Sequence, residues 1–367
     1  MTSDCRTIGV SRRTPLTTWL PECRKPRCHP GSYNRWMEIS RLSQSAGVSQ
    51  HPFPFDPTYG LDLDGLLKIG APDNEPADFA EFWQGMHERA MRTPVEPRLG
   101  DKVGNTADGL DIFEVSFTSL GGVRIGGWLV VPTDGVVERG FVIGHGYGGR
   151  AAAEPALIPA PRAAAIFYVA RGLPEKSLLP GVPSEAAGHV LTGIESRDDY
   201  IIGGCVADTW CAATALTELV PAAARRLDYT GISFGGGTGA LALPWDERFT
   251  AAQLIVPTFG NHPLRVTLEC VGSGAAVRER YLQDPAVLDV LAYFDAATAA
   301  RHVRIPVLAA PALFDPSVPP PGQFAIVNSL AGPVQADIAT AGHFMEFDAF
   351  EPELVELGRR TQLFFAE

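Results

Sequence analysis

The sequence predicts an α/β fold, a mostly parallel central sheet covered by helices on both faces. Three observations carry that prediction. After residue 139, short apolar runs that read as buried strands alternate with helix-length stretches. Ahead of them, two longer strand-like runs are joined closely enough to form an antiparallel hairpin. The segments that follow the apolar runs hold Gly, His, Ser and Asp, and open α/β sheets bind ligands beyond the carboxyl ends of their strands.

Size and composition set the bounds. A chain of 367 residues can bury a large core, and 46% hydrophobic with 20% charged residues is the balance of a soluble globular protein. The net charge of −12 argues against nucleic acid as a partner, which calls for clustered Lys and Arg. No apolar run approaches the roughly 18 residues needed to span a bilayer, so no membrane segment is expected.

The beginning of the chain differs in kind. Residues 1–36 carry seven Lys/Arg against two acids, a net of +5, which leaves −17 for the remainder. They also hold Cys5, Cys23 and Cys28, half of the 6 cysteines. Arg12 and Arg13 are not followed by the apolar stretch of a signal peptide. "CRKPRCH" (Cys23 to His29) lacks the paired CxxC spacing of a metal site. Residues 1–50 therefore read as a poorly ordered extension, with Met37 as an alternative start, and residues 51–367 as the folded domain. Cys205, Cys211 and Cys270 read as single buried thiols, which implies a reducing, cytoplasmic setting.

The elements of the domain follow in order. After the Pro-rich "HPFPFDP", the segment "DFAEFWQGMHERAMR" (Asp78 to Arg92) has apolar residues at helical spacing behind an acidic start. "DIFEVSFTS" (Asp111 to Ser119) and "VRIGGWLVVP" (Val123 to Pro132), separated only by "LGG", make the hairpin. "GFVIGHG", "AAIFYVA", "LDYTGIS", "AAQLIVP", "IPVLAAPA" and "VQADIAT" are the buried strands, with helix-length stretches at Ile202 to Leu219 and Phe350 to Phe365. No internal repeat is present.

Gly231-Ile-Ser233-Phe-Gly235 matches G-x-S-x-G. Given 38 Gly and 16 Ser, chance supplies roughly 0.17 such matches, so the pattern needs structural support. It has that support in the apolar "LDYTGI" before it and the helix-permitting "GTGALAL" after it. A strand, a sharp turn and a helix lift a serine hydroxyl above the sheet, and the neighbours must be small because chain segments approach closely there. A hydroxyl needs a base to take its proton, and in this arrangement the chain order is Ser, acid, His.

Of the 8 histidines, only His262, His302 and His343 follow Ser233. His343 stands in "TAGHFMEF", just past the last strand. His302 lies in a polar helix-like stretch, and His262 comes too early in the order. Asp315, in "ALFDPSVPP", stands directly after an apolar strand in a loop fixed by prolines. The developing oxyanion needs donors, and the backbone N–H groups of Phe234 and of Tyr147 in "HGYGGR" are in place to supply them. His145 of the same loop reads as a structural hydrogen-bonder. These residues describe a serine carboxylic-ester hydrolase working through an acyl-enzyme. The alternatives are a serine hydrolase of another acyl class (amide or thioester) and an inactive binding protein that keeps the fold.

From about Phe55 to the C-terminus the sequence resembles the acetyl xylan esterases and cephalosporin C deacetylases of the α/β-hydrolase superfamily. The resemblance rests on "DFAEFW", "IGGWLVVP", "HGYGGR", "GHVLTGIESRDDY", "GISFGGG", "LAYFDAATAARHVRIPVLAAPALFDPSVPP" and "AGH". By it Ser233, Asp315 and His343 match the family's triad, and Tyr147 and Phe234 its oxyanion positions. It implies an α/β-hydrolase fold and removal of acetyl groups from small acetylated sugars or a cephalosporin side chain, with neither metal nor cofactor. Members of the family often form ring-like hexamers, which adds a homo-oligomer to the expectations. The chain departs from the family at Leu173 (usually Gln), Phe234 (Gln) and Phe344 (Glu), and these changes predict a more apolar pocket.

Overall fold

The computed structural model describes residues 37–45 and 47–367. Among the described residues, 11 strands form one sheet. In chain order they are β1 (Met37–Arg41), β2 (Arg98–Asn105), β3 (Leu110–Ser119), β4 (Val123–Pro132), β5 (Arg139–Ile143) and β6 (Ala163–Tyr168). There follow β7 (Leu227–Ile232), β8 (Phe249–Ile255), β9 (Val307–Ala310), β10 (Ala312–Phe314) and β11 (Val334–Ala341). Across the sheet the order is β1-β11-β9-β8-β7-β5-β6-β4-β3-β2, with β10 pairing β11.

The run from β1 to β6 is parallel throughout, and β4, β3 and β2 add to it as antiparallel neighbours. The hairpin expected around "LGG" is β3–β4, in register from Ser119 opposite Val123 to Asp111 opposite Val131. Its tight connection is made by Gly121 and Gly122, both at positive φ, which glycine adopts without steric penalty. All six buried strands read from the apolar runs form.

The correction to the sequence reading lies at the edges. β1 falls within the stretch assigned to an extension, yet Met37 to Arg41 pair with Val334 to Ile338 of β11, so the sheet begins ahead of residue 51. The stretch "CRKPRCH", read as lacking a metal site, lies outside the described residues. β2 and β10 were not expected. β2, "RLGDKVGN", is almost wholly exposed and pairs β3 with shifted register, so it carries none of the alternation that marks a half-buried strand.

Helices cover both faces, and adjacent residues of β7 show how. The Tyr229 hydroxyl donates to the Gly235 carbonyl, 2.6 Å away, on the helix Phe234–Ala242. Asp228 points the other way, pairing with Arg139, which donates to the Phe365 carbonyl at the end of the helix Phe350–Ala366. That alternation is the period-2 geometry of a strand buried on both sides. The helix Ile201–Leu219 is apolar on nearly every face because it lies between the sheet and the helix Phe79–Met91. Trp83 and Trp210 meet edge to face in that layer with centroids 6.3 Å apart. Burying such large rings is the main drive for the layer. No helix of the described residues is long and apolar enough to cross a membrane.

Candidate active site

Ser233 stands between β7, flanked by β5 and β8, and the helix Phe234–Ala242. Its backbone adopts φ 55°, ψ −110°, a conformation costly for any residue with a side chain and concentrated at functional turns. The turn is held from outside: Ser233 N–H donates to the Ile255 carbonyl at 2.8 Å, and Gly235 N–H to that of His145 at 2.8 Å. A Cβ on Gly231 would stand 2.5 Å from the Gly235 carbonyl oxygen, and one on Gly235 2.9 Å from both Gly144 C and His145 N. Both contacts are with backbone, so nothing can move aside. That is why the motif's glycines flank the serine.

The chain brings the three separated residues together. Ser233 Oγ lies 2.9 Å from His343 Nε2, and His343 Nδ1 lies 2.7 Å from Asp315 Oδ2. The carboxylate can only accept, so Nδ1 carries the proton and Nε2 is left to take one from the serine. Asp315 is fully buried and saturated. Its Oδ1 accepts from the backbone N–H of Ser317 (2.8 Å) and Val318 (2.9 Å), and Oδ2 from Gln323 Nε2 (2.9 Å) as well as His343. Gln323 comes from the helix Pro320–Ser329; its Oε1 accepts from Ala312 N–H and its Nε2 also donates to the Val318 carbonyl, so it braces the loop it serves. Sequence reasoning missed it, and no local motif marks it.

His343 shares the backbone tension of the serine, with φ 48°. Just before it, a side chain at Gly342 would run into Asp315 Oδ2. Burial disfavours the charged imidazole, but the charge and the hydrogen bond of Asp315 together outweigh it and leave the His343 pKa raised. The acid loop is held from a distant segment too, since Asp315 N–H donates to the Pro57 carbonyl at 3.1 Å.

The two expected oxyanion donors sit on facing elements. Phe234 opens its helix, so its N–H has no intrahelical partner, and the positive end of the helix dipole adds to it. Tyr147 N–H makes no backbone hydrogen bond among the described residues. A cleft of about 340 Å³ opens beside the serine, lined by Ser233, His343 and Tyr147 with Thr258, Ser317 and Val318 among others. Leu173, Phe234 and Phe344 are not among its lining residues. Leu173 and Phe234 are packed into the core, and Phe344 joins an aromatic cluster.

Three other histidines have structural surroundings. His145 is buried, accepts from Ala170 N–H at 2.9 Å and faces the Gly146 carbonyl at 2.6 Å; burial pushes its pKa down to about 3. His262, also pushed by burial to about 3, faces the Phe294 carbonyl. His302 stacks on Phe79. No group of three or more His, Cys, Asp or Glu among the described residues is arranged to hold a metal ion.

Comparison with known proteins decides the family. The model of the acetyl xylan esterase (AXE1) family matches residues 57–355. The chain belongs to the acetyl xylan esterase family. Membership makes it a carboxylic ester hydrolase. A curated relative, the acetyl esterase Axe7A of Xylanibacter ruminicola, is 22% identical over 303 residues, covering 75% of this chain and 67% of its own length. Among solved structures, an acetyl xylan esterase from a Paenibacillus species superposes with TM-score 0.72 at 22% identity, over 83% of this chain and 99% of that one. Acetyl xylan esterase 1 from a Thermoanaerobacterium species gives the same TM-score of 0.72 at 18% identity, over 85% and 100% of the two chains. At these identities the structures speak for the fold, which is that of the α/β-hydrolases.

Proposed function

We propose that this member of the acetyl xylan esterase family removes acetyl groups from small acetylated sugars by a two-step acyl transfer. Ser233 Oγ attacks the ester carbonyl carbon as His343 Nε2 takes its proton. The tetrahedral oxyanion is held by the N–H groups of Tyr147 and Phe234. Collapse expels the sugar alcohol, which receives the proton from His343. A water activated by the same imidazole then cleaves the acyl-enzyme and frees acetate. Asp315 orients His343 and stabilises its cation without taking the proton.

The observation that carries this reading is the unbroken relay from Asp315 through His343 to Ser233, with bonds of 2.7 and 2.9 Å. A scaffold that had lost its chemistry has no reason to keep two residues at positive φ for it. The cleft is open and lined with small side chains beside the serine, which suits a short acyl group on a bulky alcohol. The acetate of a cephalosporin side chain fits the same description and belongs in the same panel.

The test is hydrolysis of p-nitrophenyl acetate, acetylated xylo-oligosaccharides and cephalosporin C by the wild type and by Ser233→Ala. Acetyl release by the wild type and its loss in a folded Ser233→Ala are the expected results. Full turnover by the variant contradicts the reading. A reducing, cytoplasmic setting is part of the proposal, supported by Cys205, Cys211 and Cys270, all buried and unpaired. So is a homo-oligomer, which light scattering would test.

A further inference from the structure

Tyr147 sits in the sequence Gly146-Tyr147-Gly148-Gly149. Glycine neighbours leave the backbone free to adopt many conformations, so they cannot fix the direction of the Tyr147 N–H. Something else must. The side chain has the means: it is half-buried, and its phenol donates to Nδ1 of His189 at 2.9 Å.

His189 is itself fixed. It is fully buried, and its Nε2 lies 2.9 Å from the Arg171 carbonyl. A carbonyl only accepts, so Nε2 carries the proton and Nδ1 is left as the acceptor for Tyr147. Burial lowers the His189 pKa and keeps the ring in this neutral form. The Arg171 carbonyl is tied down in turn. Arg171 N–H donates to Asp208 Oδ2 at 2.9 Å, and its guanidinium reaches Asp208 Oδ1 (2.7 Å), Ser119 Oγ (3.0 Å) and the Leu120 carbonyl (3.1 Å). The next residue, Gly172, has φ 76°, and a Cβ there would stand 2.9 Å from His189 Nε2. The local chain is shaped around this imidazole.

The Tyr147 ring also packs on Phe234, with centroids 4.5 Å apart, and both rings lie against His189, at 5.5 and 6.5 Å. The two backbone donors therefore belong to residues whose side chains form one packed unit. We infer that His189 is a positioning residue for the oxyanion donors: it anchors the Tyr147 phenol and so sets where the Tyr147 N–H points. This rests on the role proposed above for Tyr147 and Phe234. Asp208 and Arg171 extend the anchor into the core, and none of the three touches the cleft.

The test compares Tyr147→Phe, His189→Ala, their double variant and Ser233→Ala on p-nitrophenyl acetate and its thionoester analogue, with thermal unfolding alongside. Tyr147→Phe deletes one oxygen and keeps the ring, so it decides the matter even where His189→Ala folds poorly. Displacement of a reacting geometry by about 1 Å, like loss of one oxyanion donor, costs on the order of 10² in rate, so a partial loss of about tenfold in kcat is expected for each single variant. KM should stay within about twofold, since the ground-state carbonyl gains little from the hole. The double variant should be no slower than the slower single one, because both remove the same bond. The preference for oxoester over thionoester should shrink in step, a change that loss of stability alone does not produce. Wild-type kcat in Tyr147→Phe, with Ser233→Ala inactive, overturns the inference and leaves the site assignment standing. Multiplying losses in the double variant overturn it too. Turnover by Ser233→Ala removes the site assignment and the inference with it.

Discussion

The rings of Phe53 and Phe344 meet edge to face with centroids 6.0 Å apart, and both touch Phe314. Phe314 precedes Asp315 and Phe344 follows His343, so one aromatic cluster ties the acid loop and the histidine loop to the segment that leads into the domain. The aromatic contact gives Phe344 a physical role beside the histidine. Phe344→Ala should cost about 3 kcal/mol, the lower end for removing a buried Phe. It should also lower kcat, because the His343 loop loses its brace. Denaturant unfolding and steady-state kinetics check both, and Phe53→Ala should move them the same way.

The pH dependence follows from His343. Its imidazole must be neutral to act as base, and Asp315 raises its pKa above the ordinary 6.5. The value of kcat/KM should therefore rise with pH through a midpoint above 6.5 and then level off. The stability linkage has the opposite sign. A histidine whose folded pKa is raised contributes stability that is complete below its unfolded pKa and is lost as pH climbs through the folded one. Asp315→Asn removes the carboxylate charge that lifts the pKa, so the kinetic midpoint of its residual activity should fall.

Glycines separate by what surrounds them. Gly231→Ala and Gly235→Ala drive a Cβ into backbone at the serine turn and should destabilise the protein by at least about 1–3 kcal/mol while abolishing activity. Gly85 and Gly358 lie inside helices, and a Cβ at either meets nothing within 4 Å. Gly85→Ala and Gly358→Ala should each stabilise by up to about 1 kcal/mol through helix propensity and leave kcat unchanged. Thermal unfolding of the four variants reads the contrast directly.

The Arg171–Asp208 pair gives a further prediction. Asp208 is fully buried, and its removal leaves a guanidinium without its counter-charge. Asp208→Ala should cost about 3–5 kcal/mol in denaturant unfolding, the usual range for breaking a buried pair from one side. Exposed pairs such as Arg92–Glu88 should matter far less.

What could be read from the sequence was what short-range pattern encodes. The β3–β4 hairpin was legible from "LGG", and the serine turn from glycines that only make sense where backbones touch. Asp315 was legible because it directly follows an apolar strand, and His343 because it stands just past the last one. What escaped depends on contacts between residues far apart in the chain. Gln323 looks like any helical glutamine until the helix folds back on Asp315. His189 shows no local signal that it meets Tyr147. "HPFPFDP" reads as a Pro-rich lead-in, and its brace on Phe314 and Phe344 exists only once residues 51–57 reach the loops after β10 and β11. β1 was missed for a like reason: "MEISR" becomes a strand because β11 offers it an edge.

The central claim is that Ser233 is made nucleophilic by His343. Labelling with a fluorophosphonate, followed by peptide mapping and residual activity, tests it most directly. The account predicts a single adduct on Ser233, esterase activity lost in proportion to labelling, and no adduct in His343→Ala. Modification at another residue with Ser233 untouched, or undiminished hydrolysis by the fully labelled protein, would contradict it.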